Sequence, residues 1–508
     1  MATYQAPTAR QFESDRNSPA YRCKAHNDQW ADLKYVRDVA GGTRHLRSLT
    51  TEYLPKEPAE KTAAYQVRLA RAILFNAYER AKDAMVGLVL RKEPTLGEDV
   101  PDLIKGRKGG ETVPEMEGIA ENIDLAGTHW TVWAKKLFDN SFEGHAFVYV
   151  DMPPALPAGS TMEDERAANR RPYWVKYTKD QAVNWRLDQK GNLKQITFKE
   201  CSLEEDGDFG EKEVVRYRVL RPGSWTLYEE RKDKDGNLQV VPVEGEAGQG
   251  LALDVNGRPL TEIPVAVVYT GECSPLVSKP PLLDLAVINV AHYQKYSDYS
   301  IYLHLCRPTI WFAGRADKTK KVENISPYSY FDVSDNGKVE YAEPKGSALA
   351  AARQDLLDLQ DLMDLLGMSM LARKPAGPET ATGELLETVK ETSDLATAAR
   401  SLKDALERAL GFTAQYLGLP SGGSVNLDSI AEGLMLSPDA MRAYTEMAGV
   451  ILSKKTVRAI LKEADKLPET FDEADEERLL SQEADQAAER IAAAGAAAMK
   501  LFDRGANA

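Results

Sequence analysis

Two stretches of this chain can run as helix for over twenty residues without a breaker, and this limits the fold more than any other feature. Pro280-Pro281 launch the first, which continues to Cys306 before Pro308 forbids helix. At about 1.5 Å per residue it makes a rod ~37 Å long. The second runs from Gly346 to Ala372 and is followed by the loop Arg373-Lys374-Pro375-Ala376-Gly377-Pro378. A third helix lies beyond that loop and ends near Leu417. Two rods with a small module between them and a stiff loop after them suit a shaft better than a catalytic pocket.

The rest of the chain alternates between helical and β-rich stretches. A helix is predicted around Ala25–Val39, ending at Gly41-Gly42, and a longer one from Glu60 to Leu90. Leu69, Ile73, Ala77, Ala81, Met85 and Leu88 give that longer helix one apolar stripe, and Pro94 stops it. A helix near Ile123–Asn140 leads into a strand at His145–Val150. Between Pro172 and Tyr269 short apolar runs alternate with turn chemistry at Lys190-Gly191-Asn192, Asp235-Gly236-Asn237 and Asn256-Gly257. Antiparallel hairpins are expected there. Residues 308–345 read as a small α/β insert with a turn at Asp335-Asn336-Gly337. Val425–Leu427 reads as a strand, and Ser437-Pro438-Asp439 starts a helical C-terminal part. The fold class is α+β.

Composition narrows the function. The chain has 78 acidic against 64 basic residues and a net charge of −14, which disfavours tight binding of nucleic acid. Four scattered cysteines (Cys23, Cys201, Cys273 and Cys306) form no C-x-x-C pair and suggest neither a disulfide framework nor a zinc site. No apolar run reaches the length of a membrane span, and the N-terminal residues lack the apolar segment of a signal peptide. There is no P-loop, G-x-S-x-G, H-E-x-x-H or G-x-G-x-x-G. His129 and His145 are expected to be structural or exposed, and His292 and His304 to make subunit contacts on the first rod. No enzyme activity, metal or cofactor is expected.

The second rod carries the sharpest pattern. Leu349, Ala352, Leu356, Leu359, Met363, Leu366 and Met370 keep a strict three-four spacing, a seam like that of a coiled coil. Asp355, Asp358, Asp361 and Asp364 recur every third residue and sweep about half the circumference away from it. The aspartates read either as a carboxylate-lined passage to which a polyanion does not adhere, or as a solvated face. The Arg373–Pro378 loop reads either as a finger bearing two cations or as a plain helix connection.

The order of parts resembles the portal proteins of tailed bacteriophages, and specifically a portal-like family catalogued as a domain of unknown function. The resemblance rests on YLPKEPAEKTAAYQVRLARAILFNAYERAKDAMVGLVLRKEP (53–94) and PPLLDLAVINVAHYQKYSDYSIYLHLCRPTIWFAG (280–314). It also rests on ETATGELLETVKETSDLATAARSLKDALERALGFTAQYLG (379–418) with VILSKKTVRAILKEADKLPETFDEADEERLLSQE (450–483). It implies a ring, usually of about twelve subunits, closed by a heterologous interface at one capsid vertex. Double-stranded DNA would pass through the ring during packaging and ejection, without sequence-specific contacts. A terminase motor, a head–tail adaptor and the major capsid or scaffold protein would dock on it, and no membrane would be involved.

Mapped onto this chain, 1–279 and 379–436 would be the wing, 280–306 and 346–372 the stem, and 307–345 the clip. Residues 373–378 would be the tunnel loop and 437–508 the crown. In that arrangement Leu349, Leu356, Leu359, Met363, Leu366 and Met370 would touch neighbouring subunits, and some of the aspartates would line the channel. Arg373 and Lys374 would meet the DNA backbone. The alternatives are another virion structural protein without a channel, such as a minor head or adaptor protein, and a soluble hydrolase built on a carboxylate pair or on His129 and His145.

Overall fold

The computed structural model describes residues 11–107, 116–153, 164, 169–245, 248–305, 309–315, 333–342, 347–367, 394–427, 457–458, 472, 474–476 and 478–482. The chain divides into two units. Met1–Pro375 with Thr392–Leu427 form the first, and Ala376–Glu391 with Asp428–Ala508 the second. In the second unit, Asp472 accepts the backbone N–H of Ala474 at 2.8 Å and so caps helical residues 474–476. The Arg373–Pro378 loop, Met370 and the helix start at Ser437 lie outside the described residues.

The first unit opens with helices α1 (Gln11–Ser14), α2 (Lys24–Ala40) and α3 (Gly42–Ser48). On α2, His26, Gln29, Leu33, Val36 and Val39 are buried at three- and four-residue steps and so lie on one face. Gly42 takes φ +74° and turns the chain straight into α3.

Next come α4 (Thr62–Arg71) and α5 (Ala77–Val89), where a single helix was expected. No proline separates them; distant side chains hold the break open. Thr43 Oγ1 accepts the N–H of Leu74 at 3.0 Å, and Arg47 Nε donates to the carbonyl of Ala72 at 2.9 Å. Asn289 donates to the carbonyl of Phe75 at 2.6 Å and accepts the N–H of Tyr78 at 3.2 Å. Those bonds replace the ones the helix would have supplied. Asn76 then caps α5 by accepting from the Glu79 N–H. The predicted stripe is therefore cut, and Ile73, at 50% exposure, faces outward.

After β1 (Thr95–Leu96) and α6 (Asp102–Lys105), α7 (Trp130–Ser141) starts later than predicted, with His129 as its N-cap. The β-rich region follows. Its strands are β2 (His145–Asp151), β3 (Tyr173–Thr178), β4 (Ala182–Leu187), β5 (Leu193–Asp206), β6 (Gly210–Arg221) and β7 (Ser224–Lys232). They continue with β8 (Leu238–Pro242), β9 (Gln249–Leu251), β10 (Val265–Tyr269), β11 (Glu272–Ser274) and β12 (Val277–Ser278). Among the described residues every strand pair is antiparallel, and the fold is α+β.

Two sheets stack, and helices cover the outer face of one of them. In the order β10-β2-β3, β2 is central, and all seven of its residues are buried. Ala146, Val148 and Val150 point to the helical side, in the same core as Trp133, Leu137 and Leu402. Phe147 and Tyr149 point the other way, against Ile196 and Phe198 of the sheet β4-β5-β6-β7-β8. That double burial explains a strand without polar alternation. One turn design recurs before and within the region. In Asp124, Asp188, Asp233 and Asp254 the carboxylate accepts the N–H groups two and four residues on, with glycine at the third.

The remaining elements are α8 (Leu283–Leu305), the pair β13 (Thr309–Arg315) and β14 (Val333–Ala342), α9 (Ser347–Gly367), α10 (Asp394–Leu417) and β15 (Val425–Asn426). Opposite β13 the register jumps, Ala313 facing Lys338 and Arg315 facing Val333. Asp335-Asn336-Gly337 thus sits inside an irregular strand and does not turn between two. Helix α10 lies on β2 and β10, and Trp174 Nε1 of β3 donates to its Thr413 at 2.9 Å. β15 pairs with β1.

Candidate assembly interface

The rods α8 and α9 pack side by side and antiparallel. Lys295 reaches Asp355 at 2.8 Å, and His292 Nε2 lies 3.3 Å from the Gln360 amide three residues earlier on α8 and five later on α9. Gly367 at the end of α9 comes close to Leu285 near the start of α8 and to Ala81 of α5. The first half of α8 is rooted in the core through Leu285, Ala286, Val290 and Tyr293. Asn289 ties it to the α4–α5 break, and Gln294 donates to the carbonyl of Tyr53 at 2.8 Å. From Asp298 to Leu303 no side chain is buried, although Ile301, Tyr302 and Leu303 are largely apolar.

Helix α9 splits its leucines between two sides. Leu356 and Met363 are buried, and Leu349, Ala352, Leu359 and Leu366 are half-buried. At Leu356 and Met363 the seam predicted to meet neighbours is therefore used within the chain, because α9 has α8 and α5 to pack against. On the opposite side Leu357, Leu362 and Leu365 are exposed, Leu365 to 69%. On α8 the same holds for Val287, Tyr302 and Leu303. Spacing alone did not single out these six residues, and only the depth of each neighbour distinguishes them from the seam.

Asp355, Asp358, Asp361 and Asp364 are all exposed. Asp355 is held by Lys295, and Asp358 accepts from Gln354 at 2.7 Å. At about 100° per residue, Leu357 and Leu365 fall between the aspartates, so the outward face mixes carboxylates with bare leucine. His292 does not reach a surface. It is 2% exposed and packed between the rods, so its expected subunit contact is corrected to an internal one, and burial lowers its pKa. Together with His292 Nδ1, the buried Tyr293 and Ser297 hydroxyls of α8 have no hydrogen-bond partner among the described residues.

The histidines raised for a hydrolase are not brought together. His129 caps α7 and lies near Glu121, whereas His145 contacts Ser278, Phe147 and Tyr269. His145 Nδ1 is 2.6 Å from Ser278 Oγ, the spacing of a nucleophile and its base. The two residues are 1% and 3% exposed, however, and no substrate reaches them as folded. A largely half-buried polar clamp stands beside this pair. Arg37 bridges Glu143 and Asp180, and Lys179 donates to the carbonyl of Ser278 at 2.6 Å. Burial pulls the Lys179 ammonium down to about 8. No sequence motif flagged this clamp. Among the described residues no group of His, Cys, Asp and Glu could hold a metal, and no helix is long and apolar enough to cross a membrane.

No curated protein matches the chain. Residues 281–417 match the model of one family, described as a domain of unknown function (DUF4055). The matched segment opens two residues before α8, ends with the last residue of α10, and contains both rods.

Proposed function

We propose that this chain is the subunit of a portal ring, about twelve copies closed by a heterologous interface at one vertex of a virion. In this reading the α8–α9 pair is the stem, and the β13–β14 module is the clip that meets the terminase motor and later a head–tail adaptor. Capsid or scaffold protein surrounds the ring. Double-stranded DNA passes through it without being read, and the chain performs no reaction of its own. One observation carries the reading. The paired rods satisfy one apolar face inside the chain and leave Val287, Tyr302, Leu303, Leu357, Leu362 and Leu365 bare. Large exposed apolar side chains on both rods fit a surface that associates with protein. The net charge of −14 adds support, since a conduit should not bind the phosphates that pass through it.

Electron microscopy of the purified full chain tests the ring. Class averages down the axis should show annuli with a central hole; single small particles at all concentrations would contradict it. The leucines between the aspartates favour a second reading of the outward α9 face, in which it meets a neighbouring subunit and not DNA. Two variants separate the readings. Asp358→Asn with Asp361→Asn and Asp364→Asn should change DNA retention in intact rings if the face lines the channel. Leu357→Glu with Leu365→Glu should prevent rings if the face is an interface.

A further inference from the structure

The β5–β6 hairpin outgrows its sheet. From Cys201 to Glu213 every residue is exposed except Glu204, which is half-buried against Arg216. This arm carries six carboxylates (Glu204, Glu205, Asp206, Asp208, Glu211 and Glu213) against one lysine, Lys212. It also carries two large apolar side chains that nothing covers: Leu203 is 68% exposed and Phe209, in the turn, fully so. Leu203 pairs with Glu213 and Glu205 with Glu211, so the apolar residue shares a face with three carboxylates. An aromatic ring at the tip of an acidic, protruding hairpin is a poor solvent surface and a good anchor.

The opposite chemistry lies at the α4–α5 corner. On the outward side of α4, Ala63, Ala64, Val67 and Ala70 are exposed, with only Thr62 and Gln66 as uncharged polar neighbours, where a solvent face would be more polar. Beyond it Ile73 and Phe75 are 50% and 39% exposed at the break that Asn289 holds open. The exposed charges there are basic: Arg71 is exposed, and the Arg80 guanidinium lies over the Phe75 ring, 5.1 Å from its centroid, while the neighbouring Glu79 is half-buried and paired with Lys82. The corner is thus apolar with a basic rim, and the arm is apolar with an acidic rim.

We propose that the β5–β6 arm of one copy docks on the α4–α5 corner of a second copy. Phe209 seats against Ile73 and Phe75 while the arm's carboxylates face Arg71 and Arg80. Both surfaces are bare within one chain, and they are different patches, so each copy can give an arm on one side and receive one on the other. Such a heterologous contact can propagate and close. The inference rests on the ring reading in needing several copies, and it names one lateral contact that the rods do not supply.

Charge exchange tests it on the full chain, with the concentration of half-assembly read by mass photometry at about 0.1 M salt, where the Debye length is about 10 Å. Asp206→Lys with Asp208→Lys should raise that concentration about tenfold or more, and so should Arg71→Glu with Arg80→Glu. All four together should bring it back to near the starting value. No effect from either pair, or no recovery in the combination, would overturn the docking. A photo-crosslinking benzoylphenylalanine in place of Phe209 gives a readout that keeps the aromatic side chain. In a mixture of light and heavy isotope-labelled chains it should link residues 63–80 of another copy, and links confined to its own chain would overturn the proposal. Rings that persist in the arm-reversed protein would remove this contact alone, whereas a wild-type chain that never assembles would remove the ring reading as well.

Discussion

The three-stranded sheet and the rod pair are both apolar, yet only the central strand of the sheet is fully covered. β2 has helices on one face and a second sheet on the other, and its seven residues are buried without exception. The rods have one covered side; on the other, Leu365 and Leu357 stand among aspartates in solvent. On the proposed function, the contrast separates apolar residues that serve the fold of one chain from those that await a second copy.

The largest effect that could break this contrast is in the sheet. Phe147 is fully buried, edge-on to Phe198, so Phe147→Ala should destabilise the chain by about 3–5 kcal/mol in chemical denaturation. Leu365→Ala should cost no more than about 0.5 kcal/mol in the same experiment and should instead weaken assembly. Equal losses in the two variants would erase the distinction.

Acid should act mainly on the sheet side. Burial lowers the His26 pKa to about 4 and that of His145 well below its usual value, and His292 is lowered on the rod side. Each is neutral when folded, and the unfolded chain takes up protons below about pH 6.5. Stability is therefore complete above about 6.5 and is lost as pH falls from there towards 4. Thermal melts should show the decline, and His26→Gln should flatten it. A melting temperature constant from pH 7 to 4.5 would contradict the assignment.

Where the rod meets the corner, Asn289→Ala strands the Phe75 carbonyl and the Tyr78 N–H, and should cost about 1–3 kcal/mol. A smaller loss would mean that water replaces the amide. The smallest effect is expected at the exposed pair between the rods. Lys295→Ala should change stability by about 0.2–1 kcal/mol, since both partners are near half exposure. A larger loss would show the pair to be shielded by a neighbour.

These residues also show what could be read from the sequence and what could not. Pro280-Pro281 and Pro308 mark the first rod because proline acts locally, and the hairpin glycines mark turns for the same reason. The α4–α5 break could not be seen as apolar periodicity, because its partners Thr43, Arg47 and Asn289 lie up to more than two hundred residues away. One local sign did exist, Asn76 three residues before Glu79, the signature of a helix start. The outer half of β5 escaped notice because Cys201–Asp206 has no apolar alternation, being exposed on both faces. In the rods the spacing of Leu356 and Met363 was evident, but which side a helix turns to its own core depends on where α5 and α8 lie, and no single helix encodes that.

The central proposal is that the bare side of the rods is covered by another copy. Native mass spectrometry of the full-length chain beside its Leu357→Glu, Leu362→Glu, Leu365→Glu variant tests this most directly. The account predicts one closed multi-subunit species for the wild type and monomers of unchanged melting temperature for the variant. A monomeric wild type, or a variant that assembles equally well, would contradict it.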